Sequence, residues 1–282
     1  MSKKPKPTAG PGAPASPLAP YFVRPPFRID SIAPDDRRLS GSDKPAAHAR
    51  LAELGERLDA LQNLLYANQK QRLLVLLQGM DTSGKDGTIR HVFRHVDPLG
   101  VRAVAFKAPT GPELAHDFLW RVHQQVPAAG ETVIFNRSHY EDVLVPVVYG
   151  QIDAAETERR YAQIRDFERL LVESGTTLVK CFLHISKSEQ KERLRERVDD
   201  PEKRWKFDPH DLVDRKRWDE YMGAYEAALN ATSTPAAPWL VVPADSKTNR
   251  NVMVATALVE ALDALDLGFP ENDAIQHKQR IR

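Results

Sequence analysis

Residues 73–96, LLVLLQGMDTSGKDGTIRHVFRHV, constrain the fold more than any other stretch of this chain. Five unbroken apolar residues, Leu73 to Leu77, read as a strand covered on both faces, as the strands of a parallel sheet are. A loop follows, running from Gly79 through Met80, Asp81, Thr82, Ser83, Gly84, Lys85 and Asp86 to Gly87. Ile89, Val92, Phe93 and Val96 then recur at i, i+3, i+4 and i+7, the stripe of an amphipathic helix. Strand, Gly-x-x-x-x-Gly-Lys, helix is the context a phosphate-binding loop needs. Glycines let the backbone turn so that several N–H groups converge on one phosphate, and the helix N-terminus adds its dipole. Lys85 supplies a mobile point charge for the outer phosphates.

The loop departs from the usual pattern in two places. Asp86 stands where Ser or Thr would offer a hydroxyl to magnesium. Asp81 places a negative charge inside the loop, which makes sense if a divalent cation lies between it and the phosphates. Both aspartates also suit turns and first helical turns, and for Asp86 that plainer role stays open.

With 282 residues, 28% charged and 41% hydrophobic, the chain can bury a substantial core. A net charge of +1 gives no bulk field for nucleic acid or a membrane surface, so neither is expected as a partner. The single cysteine, Cys181, excludes an internal disulfide and fits a reducing, cytoplasmic setting. No apolar run approaches membrane-spanning length, and the N-terminal lysines are not followed by a signal-like apolar stretch.

Taken in order, residues 1–45 form an irregular N-terminal extension: a Lys-, Pro- and Ala-rich tail to about 20, then loop laid over the domain surface. A helix is expected over 46–68, where Leu51, Leu54, Leu58, Leu61 and Leu65 alternate spacings of three and four. Its stripe serves its own domain or a subunit contact, and a homo-oligomer is expected. Beyond the loop helix, strands at 101–106, 132–136, 176–185 and 239–242 alternate with helices at 111–126, 156–174, 186–198, 212–229 and 249–265. Ser186 with Glu189 three residues on has capping-box spacing. Such alternation gives an α/β fold: a parallel sheet with helices on both faces. One domain over 46–270 is predicted, with a helical lid at about 187–215 and a tail at 271–282.

Two further constellations carry chemistry. The strand at 132–136 runs into Asn136, Arg137, Ser138, His139, Tyr140, Glu141 and Asp142, and ligands of open α/β sheets gather at strand carboxyl ends. Arg137 can offset charge on a transferring phosphoryl group, and Glu141 can hold a metal or orient the acceptor. His139 serves equally as a backbone partner or as an acid–base group. In the lid, Arg193, Arg197, Lys203, Arg204 and Lys206 cluster around a helix break with Trp205 and Phe207 interleaved, which suits closure over a phosphate chain.

Together GMDTSGKDG, FNRSHYEDV, RWKFDPHDLVDRKRWDEY and VVPADSK resemble the polyphosphate kinase 2 family over roughly 46–265. The resemblance implies a three-layer P-loop kinase-like fold, Mg²⁺ as cofactor, and phosphoryl transfer between inorganic polyphosphate and nucleotides. It puts Asp81 and Lys85 at the phosphates and metal, Arg137 on the polyphosphate or transferred group, and the basic lid over the chain. Many members carry Asp where this sequence has Asn136; the Asn version followed by His-Tyr-Glu-Asp resembles the subgroup acting on both AMP and ADP. The expected activity is therefore polyphosphate:nucleotide phosphotransfer to AMP and ADP, with GMP and GDP as further acceptors. An ATP-dependent nucleoside or nucleotide kinase and a non-catalytic phosphate-sensing P-loop protein are the alternatives. A GTPase is disfavoured because the chain has no Asn-Lys-x-Asp.

Overall fold

The computed structural model describes residues 16–271. Five strands, β1 (Arg72–Gln78), β2 (Val101–Ala105), β3 (Thr132–Asn136), β4 (Thr176–His184) and β5 (Trp239–Pro243), form one sheet in the order β2-β3-β1-β4-β5. Every pairing is parallel. The apolar run chosen from the sequence lies at its centre, and Leu73 to Leu77 are all 0% exposed.

Among the described residues ten α-helices surround the sheet: α1 (Lys44–Asn68), α2 (Lys85–Val92), α3 (Gly111–Leu114), α4 (Trp120–His123), α5 (Glu141–Val148), α6 (Ala154–Glu173), α7 (Lys187–Asp199), α8 (His210–Lys216), α9 (Trp218–Thr232) and α10 (Lys247–Asp263). α10 packs against α1, α2 and β4, while α5, α6 and α9 pack together with α6 on β4, so both faces are covered. Leu58, Leu61 and Leu65 of α1 are buried within this core, so the leucine stripe serves its own domain. Among the described residues no helix is long and apolar enough to cross a membrane.

Several boundaries differ from the sequence expectation, each for a local reason. α2 ends at Val92 rather than reaching Val96; Asp97 precedes Pro98, which disfavours helix, and its N–H bonds to Asp59. The helix expected over 111–126 is two single turns, because Asp117 accepts the N–H of Leu119 and opens an Asx turn between them. The one over 212–229 breaks at Arg217 into α8 and α9. α5 was hidden by Pro146 in its interior; the carbonyl this proline leaves without its helical donor, Asp142 O, accepts Arg160 Nη1 at 2.5 Å. Ser186 caps α7 by accepting the N–H of Glu189, whose carboxylate pairs with Arg193 instead of completing the box.

The segment from 16 to 43 is irregular as expected but is not confined to the surface. Leu18, Tyr21, Val23 and Ile32 are buried, and Val23 N–H donates to Trp239 O at 2.8 Å beside β5. Farther along, Asn230 and Glu226 of α9 accept the N–H groups of Phe27 and Ile29. The tail expectations for 1–15 and 272–282 lie outside the described residues.

Candidate active site

β1 and β3 are neighbours with Leu77 opposite Asn136, so their carboxyl ends deliver the glycine loop and the 136–141 segment side by side. Arg137 N–H donates to Leu77 O at 3.1 Å, locking the two exits together. The loop has the geometry its glycines promised at two points. Gly79 has φ 146°, and a Cβ there would lie 2.6 Å from Leu183 O; at Gly84, φ 106°, it would strike the guanidinium of Arg250. Lys85, itself buried, folds back and donates to Gly79 O (2.6 Å) and Met80 O (3.3 Å).

Two guanidinium groups brace the loop from beneath. Arg193 donates to Thr82 O, Ser83 O, Ala244 O and Asp245 O, and Arg250 of α10 donates to Ser83 O. Burial first, and Arg193 second, bring the Arg250 pKa down to about 9. Arg193 is thus placed differently from its expected position in the lid: at 6% exposed it is committed to carbonyl oxygens under the loop. Arg250 carries no motif that would have singled it out.

Asp81 and Arg137 form the centre. Arg137 Nη2 lies 2.5 Å from Asp81 Oδ1, and its Nη1 lies 3.9 Å from Glu141 Oε2. Burial opposes the charge on Asp81, but Lys85 and Arg137 outweigh it and hold the carboxyl below its ordinary range. Glu141 also accepts Gln78 Nε2 at 3.0 Å. Asn136 turns to the other aspartate of the loop, its Nδ2 2.5 Å from Asp86 Oδ1, and Lys206 Nζ approaches Asp86 Oδ2 at 4.0 Å. His139 fills neither expected role: it is fully buried, 3.5 Å from Glu168.

The remaining basic residues, Arg197 in the last turn of α7 and Lys203, Arg204 and Lys206 between α7 and α8, sit around the helix break. Arg197 pairs with Asp211 at 2.9 Å, Lys203 with Asp200 at 2.8 Å, and Arg204 donates to Val198 O. Trp205 is 77% exposed with Lys206 Nζ 5.0 Å from its ring centre.

A cavity of about 920 Å³ opens beside Arg137 and Glu141, between the ends of β2 and β3 and helices α5, α6 and α8. Phe118, Leu119, Val145, Pro146 and Ile152 give it an apolar wall. Arg121, also lining it, ties the 107 loop to α5 by donating to Lys107 O and pairing with Asp142 at 2.8 Å. Sequence reasoning missed this chamber. Leu114, Phe118 and Leu119, within the stretch expected to be one helix, all line the opening; Leu114 is 69% exposed, while Phe118 and Leu119 also pack against the core.

Residues 41–269 match the polyphosphate kinase 2 family. The chain belongs to that family. A relative from Meiothermus ruber named AMP/ADP-polyphosphate phosphotransferase is 52% identical, over 92% of this chain and 97% of its own length. An ADP-polyphosphate phosphotransferase from Rhodopseudomonas palustris is 41% identical, over 83% of this chain and 86% of its own. The crystal structure of a polyphosphate kinase 2 from Arthrobacter aurescens superposes with a TM-score of 0.90 at 48% identity, covering 93% of this chain and 94% of that one. The protein is a phosphotransferase of this family, moving phosphoryl groups between polyphosphate and nucleotides.

Proposed function

We propose that this polyphosphate kinase 2 transfers the terminal phosphoryl group of polyphosphate to AMP and to ADP, with GMP and GDP as further acceptors. One observation carries the reading: Arg137 stands on the boundary between the two halves of the site. It touches Asp81 of the glycine loop on one side and lines the cavity on the other. A polyphosphate end on the loop and a nucleotide phosphate in the cavity meet at that guanidinium. The acceptor oxygen is already anionic, so positioning and charge compensation matter more than a general base. Loop N–H groups and Lys85 hold the donor, Arg137 offsets charge on the transferred group, and Glu141 orients the acceptor side. Lys203, Arg204, Lys206 and Arg197 suit the trailing chain. The Meiothermus ruber relative's name supports AMP and ADP as acceptors.

Phosphoryl transfer of this kind generally uses a divalent cation, and the residues fit Mg²⁺. Among the described residues no group of three or more His, Cys, Asp or Glu is gathered into a cage. Mg²⁺ needs none, since it takes one or two carboxylates and completes its shell with phosphate and water. Asp81, kept ionised by its neighbours, is the first ligand we assign, and Glu141 the second. Bound there, the ion would neutralise charge on the phosphates.

The test is product analysis with purified protein, Mg²⁺, polyphosphate as sole donor, and AMP, ADP, GMP and GDP offered separately. Phosphorylated nucleotide is expected; turnover with ATP but not with polyphosphate overturns the reading. Asp81→Asn should raise the Mg²⁺ concentration needed for half-maximal rate, and an unchanged Mg²⁺ titration removes Asp81 from the metal site. A cytoplasmic setting suits the lone Cys181, buried and with its thiol pushed up to about 12 by burial alone. A surface hollow edged by Tyr66 of α1 and by Phe269, 72% exposed, suits a homo-oligomer, which light scattering on a sizing column would detect.

A further inference from the structure

Behind the site lies a group of buried polar side chains that the transfer itself does not use. Glu168 of α6 and Lys180 of β4 are 2% and 1% exposed, and Lys180 Nζ donates to Glu168 Oε2 at 2.6 Å. Tyr140 Oη donates to the other carboxylate oxygen at 2.8 Å, and His139 Nε2 lies 3.5 Å from that same oxygen. Lys180 also donates to Thr232 O, the last residue of α9, and to Tyr140 Oη at 3.3 Å. Trp239 of β5 donates Nε1–H to Thr232 Oγ1 and packs edge-on to the Tyr140 ring. Four elements of the core are thus tied to two consecutive residues, His139 and Tyr140.

Those two residues stand between the groups that do the chemistry. Arg137 has φ 61°, a left-handed conformation that a long side chain adopts only where its surroundings enforce it. Ser138, His139 and Tyr140 follow it at 0%, 0% and 1% exposed, and Glu141 opens α5 directly after them, its N–H on Ser138 O. Any shift of Tyr140 therefore moves Arg137 at one end and Glu141 at the other.

Burying a charged pair is a poor way to gain stability. Its desolvation roughly cancels its attraction, and apolar residues of the same volume commonly serve as well or better. Burial disfavours the charged form of both partners; for Glu168 the nearby Lys180 and His139 overcome it and keep the carboxyl below its usual range. What such a pair does supply is direction. Glu168 presents an oxygen at one fixed point, and a Tyr hydroxyl bound to it has one place to be.

We propose that the buried Glu168–Lys180 pair, acting through Tyr140 and His139, is a positioning device for phosphoryl transfer: it sets where the Arg137 guanidinium and the Glu141 carboxylate stand. The inference rests on the reading of Arg137 as the group shared by donor and acceptor.

Tyr140→Phe is the variant of choice, since it removes only the hydroxyl, with its bonds to Glu168 and Lys180, and leaves the ring and the direct Glu168–Lys180 contact in place. At a temperature where wild type and variant are both fully folded, kcat should fall about ten- to a hundredfold, the scale of losing a group that orients a reacting one. KM for polyphosphate should hold within about twofold, because binding on the glycine loop is untouched. In an Arg137→Ala background the same change should cost a clearly smaller fraction of kcat, since one of the two groups it orients is gone. Glu168→Gln with Lys180→Met, which exchanges the charges for neutral groups of similar shape, should repeat the loss; if that pair does not fold, Tyr140→Phe decides. Wild-type kcat in Tyr140→Phe with only a lower Tm overturns the proposal, as does an equal fractional loss in both backgrounds. Wild-type kcat in Arg137→Ala alone overturns the functional reading of the site, a distinct failure.

Discussion

Asn136 bonds through its amide to Asp86, and that pairing changes what a carboxylate at position 136 would mean. Asn136→Asp sets two aspartates face to face at the mouth of the glycine loop, with Lys206 4.0 Å from one of them as the nearest compensating charge. Extra negative charge beside the acceptor phosphates, or an additional cation recruited to offset it, should weigh differently on one phosphate than on two. We therefore expect the ratio of kcat/KM for AMP and ADP to change in Asn136→Asp; a constant ratio beside a lowered Tm would reduce Asn136 to a loop fastener. Lys85→Ala should cost about 10² to 10⁴ in kcat with little change in the melt, the usual scale for one preorganised electrostatic group. That Asp81, Lys85 and Arg137 lie close together was legible, because a glycine loop and a strand end each announce themselves by composition. Arg250 and Arg193 were not legible in these roles. Supporting a loop from below requires only that a guanidinium reach carbonyl oxygens, and that depends on tertiary proximity, not spacing.

At the level of elements, strands outdid helices. Every strand was found to within a residue or so: the apolar runs of β1, β3, β4 and β5 are almost wholly buried, and the half-exposed edge strand β2 was placed by its position in the strand–helix alternation. Helices failed where side chains act on the backbone: Asp117 splitting 111–126, Arg160 rescuing Pro146 in α5. The cavity went unseen for the same reason, since its walls are the pieces of those misread helices. For the stretch between α7 and α8 the structure separates two kinds of basic residue. Neutralising Lys203, Arg204 and Lys206 together should raise KM for long polyphosphate much more than KM for nucleotide, and the wild-type affinity should fall with salt, because a polyanion sheds counterions when bound. Equal KM values in the triple variant would return these residues to the solvated surface. Arg193→Met should behave otherwise, lowering Tm and kcat together, since it unfastens four carbonyls of the loop and its neighbour.

Across the whole molecule, stability should depend on pH through His184, at the carboxyl end of β4. It is buried, and desolvation brings its pKa down to about 4 against the opposing pull of Asp245 and the Ile32 backbone. Below the unfolded-state pKa near 6.5 the unfolded chain takes up a proton that the folded one refuses. Stability from this group is therefore complete above about 6.5 and lost progressively as pH falls toward 4, by about 1.4 kcal/mol per unit within that window. Tm measured from pH 7 to 4 should fall less steeply in His184→Asn than in wild type, and parallel curves would exclude the assignment. The segment at 16–43 has a consequence of a different kind. Ser16 bonds to Glu260, 244 residues away, and Val23 seats on β5, so the first described residues are held by almost the last. On a ribosome that segment must wait, unpaired, until the remainder of the chain has been synthesised. Contacts of such sequence separation slow folding at given stability, and the growing chain must meanwhile keep Leu18, Tyr21 and Val23 out of contact with its neighbours.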